Sequence, residues 1–342
     1  MVYQTITLGG TASDAVVGKV AHGLMNMTWT PSPVPDEQCF ESIKAGVDAL
    51  PSGTKGILNA SEFYAPDFGT ANLELLSRFF NRYPEYAEKT FLCIKGAGHP
   101  NIGVDSSLEG LRKSVDKCQK ALGLIKKFDL FEPARIDRKL SIEQIMENLV
   151  ILLKEGKFSH IGLSECSADT LRRANTVYPV TAVEIEVSPF EYGDNQKKVI
   201  ATATELGIAI TAYSPLGHGF LTGQIKSPAD LPEGDNRTHL TRFKEEHFKN
   251  NMALVDDLVA IAAKKGITAA QLCIAWVCSL GPKMIPLPGS SKSTRTLENL
   301  AGGDVELNEE ELKAINEAIG KHEITGDRYF GVDDHETGYL WG

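Results

Sequence analysis

Eight short runs of β-branched, aliphatic or aromatic residues punctuate the chain: Val20-Ala21-His22, Gly56-Ile57-Leu58, Phe91 to Ile94, Phe128 to Phe131, Phe158 to Leu163, Val180 to Ile185, Ile208 to Tyr213 and Met284 to Leu287. Between them the apolar positions change to helical spacing. The clearest case follows Ser141, where Ile142, Ile145, Met146, Leu149, Leu152 and Leu153 form one stripe and Ser141 with Gln144 supplies a capping box. Asp36, Ser106, Thr268 and Asn308 predict further helix N-caps. Strands that are apolar on both faces and alternate with helices specify a parallel sheet covered on both sides. Eight such repeats with no strand-only segment predict an α/β fold, a (β/α)8 TIM barrel, over an open doubly wound sheet.

Two segments depart from the alternation. Residues 3 to 16 read as an N-terminal β-hairpin with Gly9-Gly10 at its turn, placed to plug the bottom of the barrel. After strand seven the spacing doubles, and Pro215, Gly217, Gly219, Pro228, Pro232 and Gly234 mark a long loop, a candidate lid. A single barrel domain over residues 1–342 suits the length.

Composition narrows the function. With 42% hydrophobic and 23% charged residues the chain is that of a globular protein, and a net charge of −10 argues against nucleic acid or an anionic membrane as partner. A small molecule is the expected partner. Six scattered cysteines without CxxC pairs predict buried free thiols and a reducing, cytoplasmic compartment, and the opening MVYQTITLGG has no signal-peptide pattern. The eight histidines show no HExxH or Cys/His ligand spacing, so no metal is expected; His22, His99 and His218 read as satisfied polar residues near strand ends.

In a barrel of this kind the reacting groups leave the C-terminal ends of the strands. Strand two ends at Asn59 and releases Ser61, Glu62 and Tyr64, strand three ends in Lys95, and strand four in Glu132-Pro133-Ala134-Arg135. A lysine closing an apolar strand is costly unless its charge is used. An ammonium beside Tyr64 would lower a phenol pKa of about 10 and improve it as a proton donor. A rim tyrosine and a solvated lysine fit the spacing equally well. Downstream, Pro286 to Asn299 runs from a strand through a Gly/Ser turn into a helix, whose free amides, with Lys292 and Arg295, form a phosphate site in preference to a plain loop. The glycine arrays at Gly96-x-Gly98 and Gly217-x-Gly219 miss the Rossmann spacing.

Taken together these segments resemble the aldo-keto reductase superfamily over nearly the whole chain. Ala212 to Gly223 is similar to the family's loop over the cofactor diphosphate, with Tyr213 where the family stacks an aromatic on nicotinamide and Ser214, Leu216 and Gly217 following it. Ser164 and Glu165 match the carboxamide site, and Gly289, Ser290, Ser291, Lys292, Ser293, Arg295, Glu298 and Asn299 match the adenosine-phosphate site, implying NADPH over NADH. Of the family's Asp, Tyr, Lys, His tetrad, Tyr64 and Lys95 match, Asn59 stands at the aspartate, Ala134 at the histidine, and Glu184 at a strand-six glutamine that meets the carboxamide. The combination is most similar to the pyridoxal reductase branch, which implies reduction of pyridoxal to pyridoxine in vitamin B6 metabolism. On that resemblance Tyr64 protonates the carbonyl oxygen and Lys95 stabilises the phenolate. Neutral Asn59 accepts a hydrogen bond from the ammonium but leaves it without a countercharge, strengthening the field on Tyr64. Trp29, Glu62 and Arg135 are the candidate substrate contacts. The alternatives are a general aldehyde reductase, a nucleotide-binding regulatory subunit without turnover, and an aldolase-like barrel with Lys95 as Schiff-base lysine.

Overall fold

The computed structural model describes residues 2–99, 103–331, 338 and 340–342; the side chain of His99, and Tyr339, lie outside the described residues. The chain starts with the hairpin: β1 (Thr5–Thr7) pairs antiparallel with β2 (Val16–Gly18), Thr5 opposite Gly18. Leu8, Ala12 and Val17 pack with Ile57, Phe91, Leu130, Ala182, Ala209 and Ile285, so the hairpin seals one end of the barrel as the sequence predicts. The Gly9-Gly10 pair is required by that docking. A Cβ at Gly9 would lie 2.4 Å from the Gly207 carbonyl oxygen, and Gly10 has φ +51° with a Cβ position 2.6 Å from the Val180 oxygen.

The barrel strands are β3 (His22–Gly23), β4 (Gly56–Ser61), β5 (Thr90–Gly96), β8 (Leu130–Pro133), β9 (His160–Ser164), β10 (Ala182–Glu186), β11 (Ala209–Tyr213) and β12 (Met284–Leu287), all parallel and paired in that order. A small hairpin, β6 (Gly98–His99) with β7 (Gly103–Val104), follows β5. The ring closes between first and last strands: the Ala21 amide donates to the Pro286 carbonyl at 2.9 Å and the Gly23 amide to Pro288 at 3.0 Å. Strand two runs past its expected end at Asn59 to Ser61, because Asn59 through Ser61 keep pairing with Cys93 through Lys95.

Strand periodicity of two then decides what the barrel encloses. Leu58, Leu92, Ile94, Phe131, Leu163, Val183 and Ile185 point outward into the helix layer, while Ile57, Phe91, Cys93, Leu130, Ala182 and Ala209 point inward. Following the inward row two residues further along each strand reaches Asn59, Lys95, Glu132, Ser164, Glu184 and Thr211, all buried. The interior is therefore apolar at the hairpin end and polar at the C-terminal end.

The helices begin largely where their caps predict. Ser141, Thr268 and Asn308 each accept from the N3 amide in a capping box. Two caps shift by one residue: Pro35 precedes helix Asp36–Asp48, and Ser107, not Ser106, caps helix Leu108–Leu122 by accepting from Gly110. The doubled spacing after β11 holds a folded excursion. Four short 3-10 segments between Gly217 and Phe243 lead into helix Glu245–Lys265, and Phe220 packs against Phe243 and Phe248 with ring centroids 5.0 and 4.5 Å apart. The cysteines are free, and all but half-buried Cys278 are buried.

Candidate active site

Lys95 is the centre of the polar layer. Its Nζ lies 2.9 Å from Glu184 Oε1 and 3.9 Å from Glu132 Oε1, and it donates to Asn59 Oδ1. Asn59 Nδ2 in turn donates to Glu184 Oε2 at 2.6 Å. This corrects the expectation that the ammonium lacks a countercharge: two carboxylates reach it, Glu132 from the adjacent strand β8, in register with Lys95, and Glu184 from β10 across the barrel, which local spacing around Asn59 cannot reveal. It also places the Glu184 carboxylate, expected at the carboxamide, against Lys95 and Asn59.

Tyr64 lies half-buried on the loop after β4, held by its own carbonyl accepting from Thr28 Oγ1 at 2.6 Å, while Asn72 Nδ2 donates to Thr28 Oγ1 and to the Leu24 carbonyl, both at 3.0 Å. The Lys95 ammonium sits 5.4 Å from the centre of the Tyr64 ring. The phenol and the lysine thus share one environment. Trp29 packs on Tyr64 at 5.8 Å between centroids and on Phe63 at 6.4 Å, forming an aromatic wall beside the phenol. Ala134 is buried where the resemblance expects an imidazole.

The charges settle as follows. Burial alone depresses Lys95, but Glu184, Tyr64 and Glu132 outweigh it, so its pKa rises and the ammonium stays charged. Burial raises the Tyr64 phenol; Lys95 opposes and Glu184 assists, leaving the pKa above its ordinary value. The expected lowering of the phenol is therefore reversed, because desolvation and two carboxylates exceed one ammonium. Glu132 is pushed well above the carboxylate range by burial and by Glu184, against Lys95.

Above this layer, backbone strain marks the strand ends: Ala97, Glu165 and Ser214 have φ of +55°, +53° and +49°. Glu165 is fully buried and receives two bonds from Arg328, at 2.9 and 2.7 Å. Arg328 also bonds Glu186 and the Tyr213 hydroxyl, the latter at 2.7 Å, and Tyr213 meets the Tyr329 hydroxyl at 2.6 Å. Burial raises Glu165's pKa, but Arg328 overrides it and the net direction is down. Arg135 donates to the Gly338 carbonyl at 2.9 Å, pinning the same tail. Glu132, Glu186 and Arg328 are the members of this site that the sequence reading did not single out. Inward phase on β8 and β10 was a usable signal for the two glutamates; nothing in the spacing pointed to Arg328. Glu62 is directed elsewhere: it accepts from Ala97 at 3.2 Å and from Ser114, and pairs with Lys117 at 3.1 Å.

Two places along the mouth fit the parts of a dinucleotide. The Ser164 hydroxyl is buried at the end of β9 with no partner. Asn299 is 3% exposed, and both its amide nitrogen and its oxygen lack partners. A buried amide without partners is unfavourable unless a ligand completes it. Helix Ser293–Gly302 carries this residue, and its N-cap, Lys292, makes no side-chain cap, so the first-turn amides remain available to an anion. Lys292 and Arg295 are exposed beside it. Ser290 holds the turn through bonds with Lys292, and its carbonyl meets His22 Nε2 at 2.7 Å. Burial lowers His22 to about 4 despite that carbonyl, so a neutral His22 braces the loop from inside.

Comparison with known proteins gives the family and the fold. The family model of the aldo/keto reductase family matches residues 19–319. The chain belongs to that family, whose members are oxidoreductases using nicotinamide cofactors on small carbonyl compounds. It is 35% identical over 319 residues to the probable pyridoxal reductase 2 of Schizosaccharomyces pombe, covering 92% of this chain and 95% of that one. It is likewise 35% identical over 330 residues to the putative pyridoxal reductase of Saccharomyces cerevisiae, with 90% and 94% covered. Among solved structures, a glycerol dehydrogenase from Gluconobacter oxydans shares the fold, with a TM-score of 0.77 at 23% identity, covering 96% of this chain and 99% of that one.

Proposed function

We propose that this protein reduces an aldehyde to a primary alcohol with NADPH in the cytoplasm, and that pyridoxal is its substrate. The observation that carries the reading is the shared environment of Tyr64 and Lys95 at the C-terminal mouth of the barrel. NADPH supplies the hydride when bound. A phenol held above its ordinary pKa is still protonated at neutral pH, so Tyr64 is poised to give its proton to a carbonyl oxygen, and Lys95 stabilises the phenolate that remains. Ser164 would hold the carboxamide, whereas the Glu165 side chain expected beside it is taken by Arg328; Tyr213 would hold the nicotinamide ring, and Ser214, Leu216 and Gly217 the diphosphate. Gly289, Ser290, Ser291, Lys292, Ser293, Arg295, Glu298 and Asn299 would hold the adenosine and its phosphate, with the exposed cations favouring NADPH. Trp29 shapes the substrate side, and Arg135 borders it. Pyridoxal is supported by the two yeast relatives named for that activity.

A Schiff-base role for Lys95 is disfavoured by the same electrostatics, since two carboxylates hold the amine protonated and a protonated amine is no nucleophile. The test is NADPH consumption with pyridoxal beside a simple aromatic aldehyde. Wild type is expected to turn over pyridoxal with the higher kcat/KM, and Tyr64→Phe to lose about 10²- to 10⁴-fold in kcat. Nucleotide binding with no turnover of either aldehyde would favour a regulatory subunit instead.

A further inference from the structure

Asn59, Lys95 and Glu184 form a closed ring of hydrogen bonds across the barrel. Lys95 donates to Asn59 Oδ1 and reaches Glu184 Oε1 at 2.9 Å, while Asn59 Nδ2 donates to Glu184 Oε2 at 2.6 Å. The three residues are 3%, 4% and 2% exposed, so water cannot substitute for any of these bonds. The ring accepts an amide at position 59 in one orientation only, with oxygen toward the ammonium and nitrogen toward the carboxylate. A second carboxylate there would set two acceptors against each other. Asn59 is therefore the neutral spacer that Glu184 demands.

We propose that Glu184 is the positioning carboxylate of this site: it fixes the Lys95 ammonium and, through it, the proton affinity of Tyr64, in place of any role in reading the cofactor amide. This rests on the carbonyl-reduction reading above and deepens it. The titratable groups facing Tyr64 and Lys95 are Glu184 from β10, Glu132 from β8 and Cys93 from the same inward row of β5, with Arg135 acting on Glu132. Of the two carboxylates, Glu132 stands farther from the ammonium and its Oε1 has no hydrogen-bond partner. Glu184 therefore supplies the larger share of the negative charge that Lys95 and Tyr64 feel.

The sign of its removal follows. Glu184 opposes ionisation of the phenol, so Glu184→Gln lowers the pH at which Tyr64 ionises, by about one pH unit or more for a charge this close. The exchange Asn59→Asp with Glu184→Gln puts the carboxylate back on the other side of Lys95 and returns the ionisation toward the wild-type value. Tyr64 is followed by NMR of tyrosine labelled at Cζ, its signal assigned by loss in Tyr64→Phe. This readout needs no turnover, so a protein that reduces no aldehyde would sink the functional reading while leaving the inference open to test. In the same variants the alkaline limb of the kcat/KM profile moves with the NMR value, kcat of Glu184→Gln falls at least about tenfold as the lysine loses its tether, and NADPH affinity measured by fluorescence changes less than twofold. A Tyr64 titration unmoved in Glu184→Gln overturns the proposal, as does a loss confined to NADPH affinity. If Glu184→Gln alone does not fold, the exchange carries the decision: a folded exchange with wild-type titration upholds it. An exchange that shifts the titration or fails to fold overturns it, because a charge-preserving swap across one ring should keep the ring.

Discussion

Removing the Arg328 guanidinium strips the countercharge from two carboxylates that cannot reach water. Glu165 is 0% and Glu186 1% exposed, and Arg328 itself only 8%. Arg328→Met keeps the length of the aliphatic stem and deletes the charge, leaving Glu165 without the fork that holds its pKa down. Breaking a buried pair from one side costs about 3–5 kcal/mol. At about 2 °C per kcal/mol, the lower end for large domains, Tm at pH 7 falls by about 6–10 °C. The pH dependence gives the sharper test. A carboxylate whose folded pKa is depressed contributes stability that is present above its unfolded value and lost as pH falls through the folded one. The unfolded state is common to both proteins, so the gap between wild type and Arg328→Met is widest where Glu165 is ionised in both, and it narrows as pH falls through the variant's Glu165 pKa, raised by burial, toward the depressed value of the wild type. Thermal unfolding followed by circular dichroism at pH 7 and pH 4 measures both. An unchanged Tm at pH 7, or a gap that stays constant with pH, would refute the assignment of Arg328 as the clamp on Glu165.

Asn299→Leu is expected to stabilise the free protein by about 1 kcal/mol or more, since it removes two buried polar atoms without partners, while weakening NADPH binding in a fluorescence titration. Replacing Lys292 and Arg295 together by Ala should raise KM for NADPH at least tenfold and leave KM for NADH within about twofold, measured by initial rates with each cofactor. Gly9→Ala drives a Cβ to within 2.4 Å of the Gly207 carbonyl, and a Tm lowered by several degrees with unchanged kcat would mark it as purely structural. Glu132 stands farther from the ammonium than Glu184 and its own pKa is pushed up, so Glu132→Gln should move the alkaline limb of the pH profile less than Glu184→Gln does.

The parts of this molecule that were legible in the chain are those written in local period. Alternating strand and helix stripes gave the barrel, Ser141 and Gln144 gave a helix start, and Gly9-Gly10 marked the plug, because each depends on neighbours within a few residues. Tyr64 and Lys95 could be singled out since a polar residue closing an apolar strand is costly without a use. Asn59 could be read as an acceptor for Lys95, and it is one, but Glu184 as their partner was hidden for a topological reason: Asn59 and Glu184 are 125 residues apart and meet only across the closed barrel. Arg328 was hidden because the tail carries no periodic signal, and its meaning comes from Glu165 and Glu186 beneath it. The direction of the Tyr64 pKa was misjudged because burial, invisible in spacing, exceeds the effect of one ammonium. Adjacent serines explain the one-residue error at Ser106 and Ser107, as either hydroxyl suits a cap.

The most direct check of the central claim is the fate of the transferred hydrogen. With NADPH deuterated at the transferring position of its ring and pyridoxal in ordinary water, the account predicts one deuterium on the alcohol carbon of pyridoxine by mass spectrometry, with turnover lost in Tyr64→Phe. An alcohol free of deuterium, or full turnover by the phenylalanine variant, would contradict it.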